Sequence, residues 1–99
     1  MENSVRVIAR IIAKPGTGER VRSVLSNLVE PTRQESGCIN YELLQNSQDS
    51  DELVLLEEWE TQAALDSHTI ASHTQTAEAE VEEFLQQVPP DVRIYRTIA

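Results

Sequence analysis

Apolar and polar positions along this 99-residue chain repeat at two different periods, and the switches between them mark out its elements. From Ser4 to Ala13 the odd positions Val5, Val7, Ala9 and Ile11 are apolar, while Arg6, Ile8, Arg10 and Ile12 alternate charge with aliphatic side chains. That two-residue period predicts a strand. Lys14-Pro15-Gly16-Thr17-Gly18 ends it in a turn whose glycines lack the spacing of a phosphate loop. From Glu19 the spacing becomes helical, with Val21, Val24, Leu25 and Leu28 in line. The Pro31 ring would clash with the carbonyl of Asn27, which predicts a kink or break near Val29 to Pro31. Thr32 to Glu35 would then form a loose last turn, with Gly37 as terminator.

Cys38 to Gln45 reads as a second strand with Ile39, Tyr41 and Leu43 on one side, followed by a polar loop from Asn46 to Asp51 and a third strand from Glu52 to Glu60. Their closeness predicts an antiparallel hairpin, and the unbroken apolar run Leu53 to Leu56 calls for cover on both faces. Thr61 is placed to cap a short helix, Gln62 to Thr69, with Ala64, Leu65 and His68 inward. Ser72 and Gln75 have capping-box spacing and start a further segment along Ala77, Val81, Phe84, Leu85 and Val88, stopped by Pro89-Pro90. Asp91 to Ile98 alternates again as a fourth strand. This order predicts a single α+β domain over residues 1–99. Its topology is ferredoxin-like, βαββαβ, with helices on one face of four antiparallel strands. The other face, with Ile8, Ile12 and part of Leu53 to Leu56, is apolar enough to predict burial against a second copy in a barrel-like homodimer.

Composition narrows the partners. An apolar fraction of 39% suits one core, and a net charge of −9, from 17 acidic against 8 basic residues, repels phosphates. No nucleic acid and no anionic membrane is expected as a partner, and the acidic third strand lacks the basic-aromatic signature of an RNA-recognition domain. Cys38 is the sole cysteine, Met1-Glu2-Asn3 carries no signal-peptide pattern, and no apolar run is long enough to span a bilayer. The expected address is therefore the reducing cytoplasm.

Candidate chemistry concentrates between Leu53 and His73, which holds the only Trp, both His and the Glu57-Glu58 pair. Glu57 and Trp59 share a strand side with Leu55, and the helix bearing His68 must fold back over the strand's end. One reading is a cleft with Trp59 as a wall and Glu57 and His68 aimed inward. The plainer alternative makes Trp59 core, pairs Glu57 with Arg6, Arg10 or another Arg, and leaves His68 a satisfied helix histidine. His73 is either a proton-accepting ring at a helix start or a solvated loop residue. Arg33, Arg93 and Arg96 are anion-binding candidates or surface charges. Tyr41 and Tyr95 are packing residues unless a hydroxyl faces a cavity, and Cys38 is a small core residue rather than a nucleophile. His68 and His73 are five apart, do not share a helix face as an i, i+4 pair does, and belong to no HExxH or Cys/His cluster, so no metal is expected.

The segments VIARIIAKPG at 7–16 and TRQESGCINY at 32–41, with Glu57-x-Trp59 followed by His68, Ser72 and His73, resemble the antibiotic biosynthesis monooxygenase domain family over nearly the whole chain. The resemblance implies a dimeric α+β barrel with one cavity per subunit between sheet and helices. It also implies oxidation of a small phenolic or hydroquinone metabolite by O₂ with no metal, flavin or haem as cofactor. On that resemblance His68 is the base or hydrogen-bond partner, Glu57 its orienter and Trp59 a wall. Leu55, Tyr41, His73 and Arg93 complete the candidate substrate contacts. Some members carry Asn where this chain has Leu55. The haem-degrading members carry a first-strand Asn, a Trp where this chain has His68 and a ligand His where it has Ala77, so haem degradation is not implied. Two other functions stay open: isomerisation or breakdown of a small phosphorylated carbonyl compound, which needs Arg93 or Arg96 turned inward, and a non-catalytic dimeric binding module with a filled cavity around Trp59.

Overall fold

The computed structural model describes residues 4–99, so Met1-Glu2-Asn3, read above for a leader, lie outside the described residues. The alternating segments form β1 (Val5–Ile12), β2 (Cys38–Asn46), β3 (Asp49–Trp59) and β4 (Asp91–Tyr95), and the helical ones α1 (Gly18–Arg33), α2 (Gln62–Thr69) and α3 (Ser72–Val81). The strands make one antiparallel sheet in the order β2-β3-β1-β4, the ferredoxin-like arrangement expected. Register decides which side chains share a face. Val7↔Glu57, Ala9↔Leu55 and Ile11↔Leu53 place the odd residues of both central strands under the helices. Val21, Leu25 and Leu28 of α1, Leu65 of α2, and Ala77 and Val81 of α3 close over them as one core.

Several details differ from the sequence expectation, among them the fourth strand, which ends at Tyr95 rather than Ile98. The loop Asn46 to Asp51 shrinks to a tight turn, because Asn46 pairs with Asp49. The Asn46 and Asp49 side chains accept the N–H groups of Gln48 and Asp51 at 2.8 and 3.0 Å, folding the chain back on itself. Helix α1 runs through Pro31 without a break. Pro31 falls in the last turn, where the chain tightens to bonds from Gln34 to Pro31 and from Glu35 to Thr32. Ala71, with no side-chain bond, takes the cap position of α3, so the Ser72 capping box does not form. Helix α3 stops at Val81 and passes into a short 3₁₀ turn, Glu82–Phe84, since Leu85 is drawn into a bridge with Ala13 that the Lys14-to-Phe84 and Gln86-to-Ile12 backbone bonds secure. Ile39 is bypassed between the pairs Cys38↔Trp59 and Asn40↔Glu58, and this bulge leaves it exposed rather than beside Tyr41.

The helices cover β1, β2 and β3 but leave β4 bare. Val92 and Ile94, on the helix side of the sheet by register, stay 54% and 57% exposed. Ile8 and Leu44 are exposed on the opposite face. Among the described residues no helix is long and apolar enough to cross a membrane.

Candidate functional site

The site forms where β3 ends and α2 turns back over the sheet. Thr61 is extended, and its Oγ1 accepts the Ala64 N–H at 3.1 Å, which starts α2 at that point. Gly37 lets the start of β2 pass close beneath it: its φ is +85°, and a Cβ there would stand 2.6 Å from the Ala64 Cβ. The His68 ring therefore comes to rest on Trp59, centroids 4.7 Å apart, and edge-on to Tyr41 at 5.5 Å. It is buried, at 5% exposure.

Beside it lies a cavity of about 320 Å³ between sheet and helices. Its walls are mostly hydrocarbon, from residues such as Val7, Leu55, Leu65 and Val81, and the polar groups deep in the wall are Tyr41, Glu57, His68 and Thr74. Exposed Glu82 and Val88 mark where the wall reaches the surface. Among the described residues no Lys or Arg lines it. Glu57 has no Arg partner; its Oε1 accepts the Trp59 Nε1–H at 2.9 Å. Burial pushes the Glu57 carboxyl above its ordinary value, against the pull of the Trp59 N–H and the His68 ring. Burial, and then the nearby Glu57 charge, also hold the Tyr41 phenol well above its usual range. Both groups are thus biased toward the protonated forms that donate hydrogen bonds. Burial and Glu35 raise the Cys38 thiol, which fits a packing residue.

Sequence reasoning missed Glu35. It sits on the turn after α1, and its Oε2 is 2.9 Å from His68 Nδ1 and 2.6 Å from His73 Nε2. A carboxylate oxygen only accepts, so the His68 Nδ1 carries the hydrogen of that contact; in the neutral ring this tautomer leaves the lone pair on Nε2. The carboxylate in hydrogen-bond contact with His68 is thus Glu35, while Glu57 bonds to Trp59. The one available signal was its place in the Glu-Ser-Gly-Cys segment; nothing in local spacing ties residue 35 to 68 and 73. The same three residues offer donor atoms all within 4.8 Å of one another. The spacing of the two histidines on a helix has no bearing on this cluster, whose third member comes from another element.

The other candidates divide. Leu55 and Tyr41 line the cavity, whereas Trp59 is a correction: fully buried behind the His68 ring, it backs that ring and forms no part of the cavity wall; His73 lies beyond Glu35 in the wall of a separate hollow. Arg93 is a correction: it pairs in register with Ile8, so it stands on the opposite face of the sheet, exposed and bonded to Asp91 at 3.0 Å. Arg33 donates to the Tyr41 carbonyl at 3.1 Å, and Arg96 is exposed beyond β4.

A family model described as "Antibiotic biosynthesis monooxygenase" matches residues 4–80. The chain is 39% identical over 85 residues to "Putative monooxygenase Rv0793" of Mycobacterium tuberculosis, covering 86% of this chain and 83% of that protein. It is 33% identical over 84 residues to "Putative monooxygenase YcnE" of Bacillus subtilis, covering 85% and 87%. Among solved structures, PA3566 from Pseudomonas aeruginosa superposes with a TM-score of 0.91 at 32% identity, over 100% of this chain and 98% of that one. With fold, cavity and relatives in agreement, the chain belongs to the antibiotic biosynthesis monooxygenase family.

Proposed function

We propose that the protein is a cofactor-independent monooxygenase that oxidises a small phenolic or hydroquinone-type metabolite with O₂ in the cavity beside His68. The observation that carries this reading is the His68 ring held through Nδ1 by Glu35 in the wall of a largely apolar cavity. His68 Nε2 takes the phenolic proton, and Tyr41 and the carboxyl of Glu57 donate hydrogen bonds to the oxyanion. The electron-rich phenolate gives an electron to O₂, and the two radicals recombine at a ring carbon. Loss of water from the adduct leaves a hydroxylated quinone. One oxygen atom enters the ring, the other leaves as water, and the quinol supplies all four electrons. Dry walls protect the intermediates.

Size supports the substrate class. A cavity of about 150 Å³ holds benzene, so about 320 Å³ accommodates one or two fused rings. The phosphorylated-carbonyl alternative needs a cation, and the wall offers Glu78 and Glu82 but no Lys or Arg among the described residues. A non-catalytic module calls for a filled cavity around Trp59; the indole itself is fully buried, and the open cavity lies beyond it, beside His68. Exposed Ile8 and Leu44 on the uncovered sheet face support a homodimer, which analytical ultracentrifugation tests. The family and its relatives support the monooxygenase-type role; the quinol is the added step. Oxygen-electrode screening of a hydroquinone panel tests it, with uptake expected in wild type and lost in His68→Ala. No uptake, or uptake indifferent to His68→Ala, overturns it.

A further inference from the structure

The proposed oxidation uses the cluster of Glu35, His68 and His73 only as a support for one ring, yet its geometry is that of a ligand set. Three separate elements supply it: the turn after α1, the end of α2 and the first turn of α3. Two imidazole nitrogens converge on one carboxylate oxygen at 2.9 and 2.6 Å, and all three donor atoms fall within 4.8 Å. An ion of the zinc class sits about 2.0–2.2 Å from such donors, and tetrahedral angles then put its ligands about 3.3–3.6 Å apart. To reach that spacing the two nitrogen-to-oxygen contacts open by up to about 1 Å and the two nitrogens close by up to about 1.5 Å. His73 can supply the closing, because its side chain is 30% exposed and α3 begins without a side-chain cap.

We infer that Glu35, His68 and His73 bind one divalent transition-metal ion, and that the bound ion switches off the cavity base. Two nitrogen donors with one carboxylate select zinc, nickel or cobalt over magnesium or calcium, which prefer oxygen. His73 lines a hollow open to solvent through which an ion can reach it, and Glu80 adds negative charge there. The net charge of −9 draws cations toward the molecule. Switching follows from the tautomer. In the metal-free protein Nδ1 of His68 carries the hydrogen and Nε2 the lone pair. An ion on Nδ1 takes that lone-pair position, so the ring hydrogen moves to Nε2 with no net change in protons. His68 then presents a donor to the cavity, and a bound phenol keeps its proton. The binding rests on geometry alone; the switching rests on the proposed role of His68 as base.

The test uses the full chain after treatment with a chelator. Trp59 is the sole Trp and lies 4.7 Å from the His68 ring, so its emission reports an open-shell ion at the cluster. Ni²⁺ is expected to quench it saturably at one ion per chain, and Zn²⁺ calorimetry to give one site. Glu35→Gln and His73→Ala should each weaken binding by at least about tenfold, since even outer-shell partners of a metal are worth that much. Circular dichroism confirms that each variant is folded. Wild-type binding no tighter than in both folded variants overturns the site. Long-range ¹H–¹⁵N spectra read the tautomer directly: Zn²⁺ should move the His68 hydrogen from Nδ1 to Nε2, and an unchanged tautomer overturns the switch. Hydroquinone-dependent oxygen uptake that Zn²⁺ stops and a chelator restores supports the switch; uptake that saturating Zn²⁺ leaves intact refutes it. A metal-free protein that consumes no oxygen counts against the oxidation and not against the titrations.

Discussion

Replacing Trp59 by Phe strikes the corner where the core and the proposed chemistry share atoms. The indole is fully buried, and its N–H is the hydrogen bond that Glu57 receives, at 2.9 Å. Phenylalanine keeps an aromatic ring but removes that donor and about two methylene equivalents of buried surface, about 1.6 kcal/mol in all. A hydrogen bond to a charged acceptor contributes about 1.5–3 kcal/mol, so the total loss with Glu57 ionised is about 3–4.5 kcal/mol. In a chain of this size that lowers Tm by more than about 10 °C. The loss also depends on pH. Burial holds the folded Glu57 above its ordinary value, so the native state binds its proton more tightly than the unfolded chain does. Stability therefore falls as pH rises from the ordinary carboxylate range through the raised folded value. The Trp59 N–H opposes that rise, and without it the fall extends to higher pH. The gap between wild type and Trp59→Phe is smallest in acid, where both folded forms hold Glu57 protonated, and widens to a plateau above the folded values. Urea unfolding followed by circular dichroism across that range measures it. A gap that is flat with pH, or a Trp59→Phe/Glu57→Gln double variant whose loss equals the sum of the singles, refutes the coupling.

Three further outcomes are expected. Glu57→Gln removes a buried ionisable group while keeping an acceptor for the indole, so calorimetry should show a higher Tm than wild type above the carboxylate range and a flatter dependence on pH. Gly37→Ala should destabilise by more than about 1–2 kcal/mol, the cost of the left-handed backbone alone, because the new methyl also meets Ala64. Adding Ala64→Gly should recover only the steric part in urea unfolding. Leu65→Ala, at 5% exposure on the cavity wall, should cost about 2–5 kcal/mol and sit near the low end, because the side chain already borders open space. The enlarged cavity should favour two-ring over one-ring hydroquinones, which paired dissociation constants test.

The strand and helix order was legible because period-two and helical spacing survive in the sequence wherever one face is buried, as in Val5 to Ile12 and Val21 to Leu28. The Thr61 cap was legible for a similar reason, since a cap is a local bond. What was not legible depended on distant partners. Pro31 is harmless because α1 ends two residues later, and α3 ends early because Leu85 finds Ala13 across the fold. Around the cavity, the strand period made it legible that Glu57 and Trp59 share one side of β3 and that the following helix returns over it, which brings Leu55, Glu57, Tyr41 and His68 to the wall; that Trp59 would lie buried behind His68 rather than in the wall was not legible. Arg93 was misplaced because the facing of a short edge strand is set by its register with β1, which composition does not reveal. Glu35 was missed because its meaning comes from two histidines more than thirty residues away in sequence.

The most direct measurement of the central claim, a free imidazole nitrogen acting as base in a dry cavity, is the protonation state of a bound phenol. p-Nitrophenol, added at a pH acid to its own ionisation, reports that state by its absorbance. Bound to wild type it should show the phenolate band, and bound to His68→Ala the neutral phenol band. A phenol that binds wild type in its neutral form, or that ionises equally in both proteins, contradicts the assignment of His68.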